Sequence, residues 1–222
     1  MNYIYTMLFF AAVFMVAACG GDKSGAAGYA AQSAGEAAPG ESSASEMRLK
    51  TQEGQDGTLR SDNKKILIAY FSHSGNTKNM AQQINDYCGG DIFEIKTISP
   101  YPSDYGDCVD QAKKEQDENA RPALASNVED MSVYDIVFVG YPNWWGTMPM
   151  AVFNFLESYD FNGKTIVPFC THEGSAMGRS ERDIKQLLPS SEVLNGKPVR
   201  GSRVKSSGED IKSWLEGLGF CK

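Results

Sequence analysis

Histidine is scarce in this 222-residue chain: His73 and His172 are the only two, and the five cysteines include no Cys-x-x-Cys pair. No residue set with the spacing of a structural zinc site is present, so none is assigned to a metal. Glycine is plentiful, yet it is never arranged as Gly-x-Gly-x-x-Gly, Gly-x-x-x-x-Gly-Lys-Ser/Thr or Gly-x-Ser-x-Gly. Those gaps remove the dinucleotide fingerprint, the Walker phosphate loop and the hydrolase nucleophile elbow. Positive charge is in deficit too, with 21 Lys and Arg against 28 Asp and Glu and a net charge of −7. From Lys64 onward the balance is 17 basic to 21 acidic residues, so nothing suggests a nucleic-acid binder. Long apolar runs are also lacking. The run from Met7 to Ala18 has signal-peptide length and is too short to span a bilayer comfortably.

That run ends at Cys19, and Val16-Ala17-Ala18-Cys19 resembles a bacterial lipobox, although no Lys or Arg precedes it. The resemblance implies cleavage before Cys19, a lipid on its thiol, and an exported protein anchored to the periplasmic or outer surface of a bacterial membrane. Residues 1–18 are then a signal peptide. Residues 20–63 are dominated by Gly, Ala, Ser, Gln and Glu, too polar to offset ordering entropy, and are expected to form a disordered tether with a reach of ~35 Å. Residues 64–222 remain as one globular domain.

Within that domain, short apolar runs alternate with helical periodicity, the pattern of a parallel sheet covered on both faces. Ile66 to Phe71 reads as the first strand. Met80, Ala81, Ile84, Tyr87 and Cys88 then share a helical face that Gly89-Gly90 terminates. Ile92 to Ile95 follows as a strand, then a polar helix from about Asp107 to Ala120, a strand at Ile136 to Gly140, and a helix at Met150 to Leu156. Thr165 to Cys170 is the fourth strand, with a helix marked by Ile184, Leu187 and Leu188. Val199 to Val204 is expected as the fifth strand, and Ser206 to Glu209 has capping-box spacing ahead of Ile211, Trp214, Leu215 and Leu218. Parallel pairing through right-handed crossovers gathers the loops that leave the strand C-termini along one edge, where ligands bind.

Three of those loops carry chemistry. Ser72-His73-Ser74-Gly75-Asn76-Thr77 offers hydroxyls and a glycine at a helix start, where backbone amides converge on an anion; a turn that merely caps the helix has the same composition. Tyr141 to Pro149 contains Pro142, Asn143, Trp144, Trp145 and Gly146: flat apolar rings beside a backbone free to approach a planar ligand. Adjacent rings rarely face the same way, so one tryptophan is expected to close over the core. Cys170 to Ser175 supplies Thr171, His172, Glu173 and Gly174 but no ring, leaving one side of a ligand open.

Taken together, in this order after strands one, three and four, the loops resemble those of the flavodoxin superfamily, in its short-chain branch, over Lys65 to about Phe220. Ser72, Ser74, Gly75, Asn76 and Thr77 match the family's phosphate-binding segment, with His73 at a variable position. Pro142, Asn143, Trp144, Trp145 and Gly146 match its isoalloxazine loop, and Thr171, His172 and Gly174 lie in the loop covering the far side of the ring. The resemblance implies a three-layer doubly wound α/β fold with five parallel strands in the order 2-1-3-4-5, and FMN as cofactor. Electron-carrier flavodoxins usually place a tyrosine in the third loop; here His172 stands nearby and becomes the candidate catalytic residue. An electron carrier is the leading reading. An FMN oxidoreductase using NAD(P)H or a quinone is the alternative, and a non-redox binding module on the same fold a third. A phospho-receiver is disfavoured because Ser72 and Pro142 stand where acidic residues are needed. The sequence names no redox donor or acceptor. In this fold the first and last helices share a sheet face and direction, which brings Cys88 toward Cys221 as a candidate disulfide in an oxidising compartment, while Cys170 reads as an inert buried thiol.

Overall fold

The computed structural model describes residues 64–219. The expected signal peptide, the lipidation site at Cys19, the tether and Cys221 all lie outside the described residues. The parallel sheet runs β2-β1-β3-β4-β5, with β6 also pairing β4. It is built from β1 (Ile66–Tyr70), β2 (Asp91–Glu94), β3 (Ile136–Pro142), β4 (Thr165–His172), β5 (Glu192–Val193) and β6 (Lys197–Arg200). Between them run α1 (Asn76–Cys88), α2 (Tyr105–Asp117), α3 (Met150–Glu157), α4 (Ser180–Leu187) and α5 (Gly208–Leu218). The expected strand order is met.

Strand alternation sorts the core onto two faces. Leu67, Ala69, Val137, Val139, Tyr141 and Ile166 pack with Val152 and Phe155 of α3 and Ile184 of α4. Ile66, Ile68, Phe138, Val167 and Phe169 pack with Met80 and Ile84 of α1 and Ile211 and Leu215 of α5. Both faces are covered, which is why the central strands are unbroken apolar runs. α2 lies beside α3. Beyond α2, Arg121 grips Glu157 with two hydrogen bonds, 2.5 and 2.7 Å, holding that carboxyl below its usual range.

Two sequence expectations fail at the last strand. Val199 to Val204 is not one strand: β6 ends at Arg200, and Gly201–Ser206 winds into a 3₁₀ helix. The fifth position is instead filled by two short pieces, giving six strands where five were expected. Pro168 accounts for the break. β5 pairs Thr165 and Ile166, β6 pairs Phe169 to His172, and the Pro168 carbonyl points between them, towards Gly196. A residue's N–H points to the same side of a strand as its C=O, so proline removes the ladder donor exactly where the edge bulges away. The capping box also fails to form. The Ser206 and Ser207 hydroxyls turn back to the carbonyls of Arg203 and Val204, satisfying the 3₁₀ helix instead of α5.

One close approach in the sheet is testable. Gly140 on β3 faces Phe169 on β4, and a Cβ at Gly140 would lie 2.1 to 2.8 Å from three ring carbons of Phe169. Gly140→Ala should therefore cost on the order of 1–3 kcal/mol through overpacking, read as a lower urea midpoint. In the double variant with Phe169→Leu the two costs should be less than additive, because the smaller side chain vacates the contested space.

Candidate functional site

The first loop leaves β1 once the Phe71 N–H has donated to the Gly140 carbonyl at 2.9 Å. Gly75 then turns the chain at φ +87° and is the N-cap of α1, with no side chain capping it and no acidic residue in the first turn. A φ in that range suits glycine. Ser72 Oγ accepts from the Lys78 N–H at 3.2 Å; the amides of Asn76 and Thr77 have no intrahelical acceptor. The result is a helix start with positive partial charge that no side-chain anion offsets. Thr77 itself is buried, and its hydroxyl meets that of Thr171 at 2.8 Å, bolting the first loop to the third. His73 donates from Nε2 to the Pro102 carbonyl at 2.8 Å.

The second loop is a tight hairpin. The Trp144 N–H donates to the Thr147 carbonyl at 2.8 Å and the Thr147 N–H to the Trp144 carbonyl at 3.1 Å. Trp145 (φ +52°) and Gly146 (φ +81°) occupy the two corner positions, the mark of a type I′ turn. The rings part company, as expected. Trp144 sits edge-on to Phe71, Tyr101 and His73, with centroids 5.1 to 5.8 Å apart. Trp145 is 47 % exposed; its indole N–H donates to the Val109 carbonyl of α2 at 3.1 Å, and Lys113 Nζ stands 5.8 Å from its ring. Those contacts hold a non-glycine residue in the left-handed region.

The third loop is clamped onto the second. Asn143 donates its backbone N–H to the Thr171 carbonyl and its amide to the Ala176 carbonyl, both at 2.8 Å. The Arg179 N–H reaches the Gly146 carbonyl at 2.8 Å, and Thr147 Oγ1 donates to Asp183 at 2.6 Å. Gly178 passes so close that a Cβ there would fall 2.2 Å from the Gly146 oxygen. Cys170 is buried as expected, its thiol directed to the Ala176 carbonyl and its pKa pushed up to about 12 by burial. Burial pushes the His172 imidazole below its ordinary value, Arg200 adds to that shift, and Glu173 opposes it. Its Nδ1 and the Asn143 Oδ1 are buried without a protein partner.

These loops enclose a cavity of about 420 Å³ at the C-terminal edge of the sheet, within the range of small-ligand sites. Of the residues anticipated from the sequence, Ser74, Asn76, Pro142, Asn143, Trp144, Trp145, Thr171 and His172 line it together. Ser72, Gly75, Thr77, Gly146 and Gly174 do not; the first four shape or brace the loops instead. Sequence reasoning missed one whole wall. Tyr105, Cys108, Val109 and Ala112 of α2 line the cavity, as do Glu173 and Gly201. The wall was signalled only by the i, i+3, i+4, i+7 spacing in a helix otherwise polar. A Cβ at Gly201 would lie 2.7 Å from Asn76 Nδ2 and Glu173 Oε1, so the ends of those two side chains would have to shift to admit it.

Comparison with known proteins reaches the same fold. A structure from Bacteroides eggerthii, described as a candidate flavoprotein, is 34% identical, with 70% of this chain and 98% of that one aligned and a TM-score of 0.63. A flavoprotein from Lactobacillus acidophilus NCFM, solved in complex with FMN, is 25% identical over 64% of this chain and 97% of that one, TM-score 0.52. Flavodoxin 1 of Escherichia coli K12 is 27% identical over 106 residues, 46% of each chain, so the match spans under half the length of this curated relative. The flavodoxin family model matches residues 65–218. The chain belongs to the flavodoxin family.

Proposed function

We propose that this protein binds FMN noncovalently and works as an electron carrier. One observation carries the reading: a single cavity joins the start of α1, whose first turn holds no acidic residue, to a wall of indole rings. FMN has the matching shape, an anionic phosphate at one end and a flat fused ring at the other. Ser74, Asn76 and the first amides of α1 would take the phosphate. Pro142, Trp144 and Trp145 would flank the ring, with Asn143, Thr171 and His172 at its polar edge. Bound FMN supplies reversible electron storage. The protein's part is to orient the ring, exclude water from its faces and hold the surrounding dipoles fixed, which the clamped hairpin suits. Among the described residues, the titratable groups lining the cavity form no hydrogen-bonded pair with one another, and that favours storage over proton-transfer catalysis.

A second reading, an FMN oxidoreductase served by NAD(P)H or a quinone, draws on the third loop, which brings His172 and Glu173 to the cavity but no ring. The resemblance of Val16 to Cys19 to a lipobox supports attachment of either protein to a bacterial membrane surface by a lipid on Cys19.

Titrating the full-length chain in mild detergent with FMN should quench the flavin emission at one equivalent. Ser74→Glu should weaken FMN by roughly tenfold or more through like charge at the phosphate, with riboflavin unaffected, and Ser74→Ala should weaken it by less, about severalfold, through loss of the hydroxyl alone; equal FMN affinity in all three would remove the phosphate assignment. Under anaerobic conditions the bound flavin should bleach with dithionite and resist NADH and NADPH. Rapid bleaching by either nucleotide, slowed in His172→Ala with FMN still bound, would establish the second reading instead.

A further inference from the structure

Among the described residues, Trp144 alone of the three tryptophans has a tyrosine in ring contact. Trp144 lines the cavity, and Tyr101, which does not, stands edge-on to it with centroids 5.1 Å apart. Phe71 closes the triangle at 5.4 Å from each ring. Edge-to-face packing of this kind holds the rings in direct contact. The Tyr101 phenol donates to Glu115 Oε2 at 2.6 Å, and Gln111 Nε2 donates to Glu115 Oε1 at 2.8 Å. Gln111 and Glu115 are one turn apart on α2, so the acceptor is held still. Among the described residues no Lys or Arg pairs with Glu115. Both oxygens of the carboxylate therefore face neutral donors, and its charge is not offset by a cation. Burial, then the hydrogen bond and charge of Glu115, push the Tyr101 hydroxyl well above the ordinary phenol range. The phenol thus keeps its proton until an electron is removed.

We propose that Trp144, Tyr101 and Glu115 form a relay that carries a one-electron oxidation out of the cavity wall and ends it on Tyr101. A one-electron oxidant of the radical class, oxygen-derived radicals included, takes one electron from the Trp144 indole and is itself reduced. Tyr101 passes one electron across the ring contact and restores Trp144. A phenol that has lost an electron is a strong acid, and its proton crosses the 2.6 Å hydrogen bond to the Glu115 carboxylate. The products are Trp144 as it began, a neutral Tyr101 phenoxyl radical and a protonated Glu115, with one electron lost in all. Without Glu115 the positive charge would be stranded on a partly buried ring, which is costly. Trp145 has no such outlet, since its indole N–H is bonded to the Val109 carbonyl and no described tyrosine touches its ring. The relay moves a radical from an indole that lines the cavity to a phenol that does not.

The test reads the protein's own rings, so its failure leaves the flavin reading untouched. Azide radicals generated by pulse radiolysis oxidise the tryptophans of the full-length chain in mild detergent, and absorbance then follows the indole and phenoxyl radicals. Wild type should show an indole-to-phenoxyl phase whose rate is independent of protein concentration. That phase should be absent from Tyr101→Phe and from Trp144→Phe. Glu115→Gln should slow it by roughly tenfold or more, the value of a positioned proton acceptor, and heavy water should slow it in wild type. Circular dichroism and the thermal midpoint check the fold of each variant; where Tyr101→Phe does not fold, Glu115→Gln and the heavy-water rate decide. No such phase in wild type, its survival in Tyr101→Phe or Trp144→Phe, or an unchanged rate in either Glu115→Gln or heavy water would overturn the relay.

Discussion

Everything at the site hangs from the seven-residue parallel register of β3 and β4, which runs from Ile136 against Thr165 to Pro142 against Thr171. Parallel pairing delivers both strands to the same edge, so the loops that follow start side by side. The Asn143 N–H then adds one more rung by donating to the Thr171 carbonyl. From there the side chains take over. Asn143 reaches Ala176, Thr147 reaches Asp183, and Gly178 slides against Gly146 because it has no Cβ. Shifting the register by one residue would turn Tyr141 from one core face to the other and break each of these contacts. The register is protected by packing, since Val137, Val139 and Tyr141 point into one core cluster while Phe138 and Phe169 fill the other.

The first loop is joined to this unit by a single buried link, the hydroxyl pair of Thr77 and Thr171. Its effect is to aim α1. With Thr77 held against the end of β4, the start of the helix faces the cavity, and Gly75 lets the chain turn into it without a capping side chain. The φ of +87° there is one that a Ser or Asp would adopt only with strain, so the N-cap carries no side chain to occupy the donors that an anion needs. Ser72, three residues back, satisfies the Lys78 amide, and the amides of Asn76 and Thr77 are left without an intrahelical acceptor.

How much of this was legible follows from how each residue earns its place. The central strands were plain because burial on both faces demands unbroken apolar runs. The divergence of Trp144 and Trp145 was also foreseeable, as consecutive side chains cannot share a direction through a two-residue turn. The edge strand was misread because Val199 to Val204 has strand-like composition, while the controlling residue, Pro168, lies on the neighbouring strand, where its missing N–H cannot register in a local pattern. The capping box at Ser206 failed for a similar reason: a 3₁₀ turn upstream competes for the same hydroxyls. The α2 wall was hidden because its stripe mixes tyrosine, cysteine, valine and alanine within an acidic helix, and nothing local says which side of such a helix meets the sheet edge.

The walls of the cavity also differ in how firmly they are held, and that difference bears on what each can do. Trp145 is kept at φ +52° by the Val109 carbonyl, by Lys113 beside its ring, and by the Gly146 bond to Arg179. Strained conformations persist only where surroundings over-determine them, so the hairpin is a rigid reference surface. It needs no reordering when a flat ligand arrives, and the entropic cost of binding falls accordingly. Tyr105 is the opposite case: a single turn from the same bond, but left largely exposed at the cavity edge. Closing it over a ring costs side-chain entropy that only new apolar contact repays. The clamped hairpin thus fixes one wall of the cavity before any ligand arrives, while at the exposed phenol an ordering cost is still to be met.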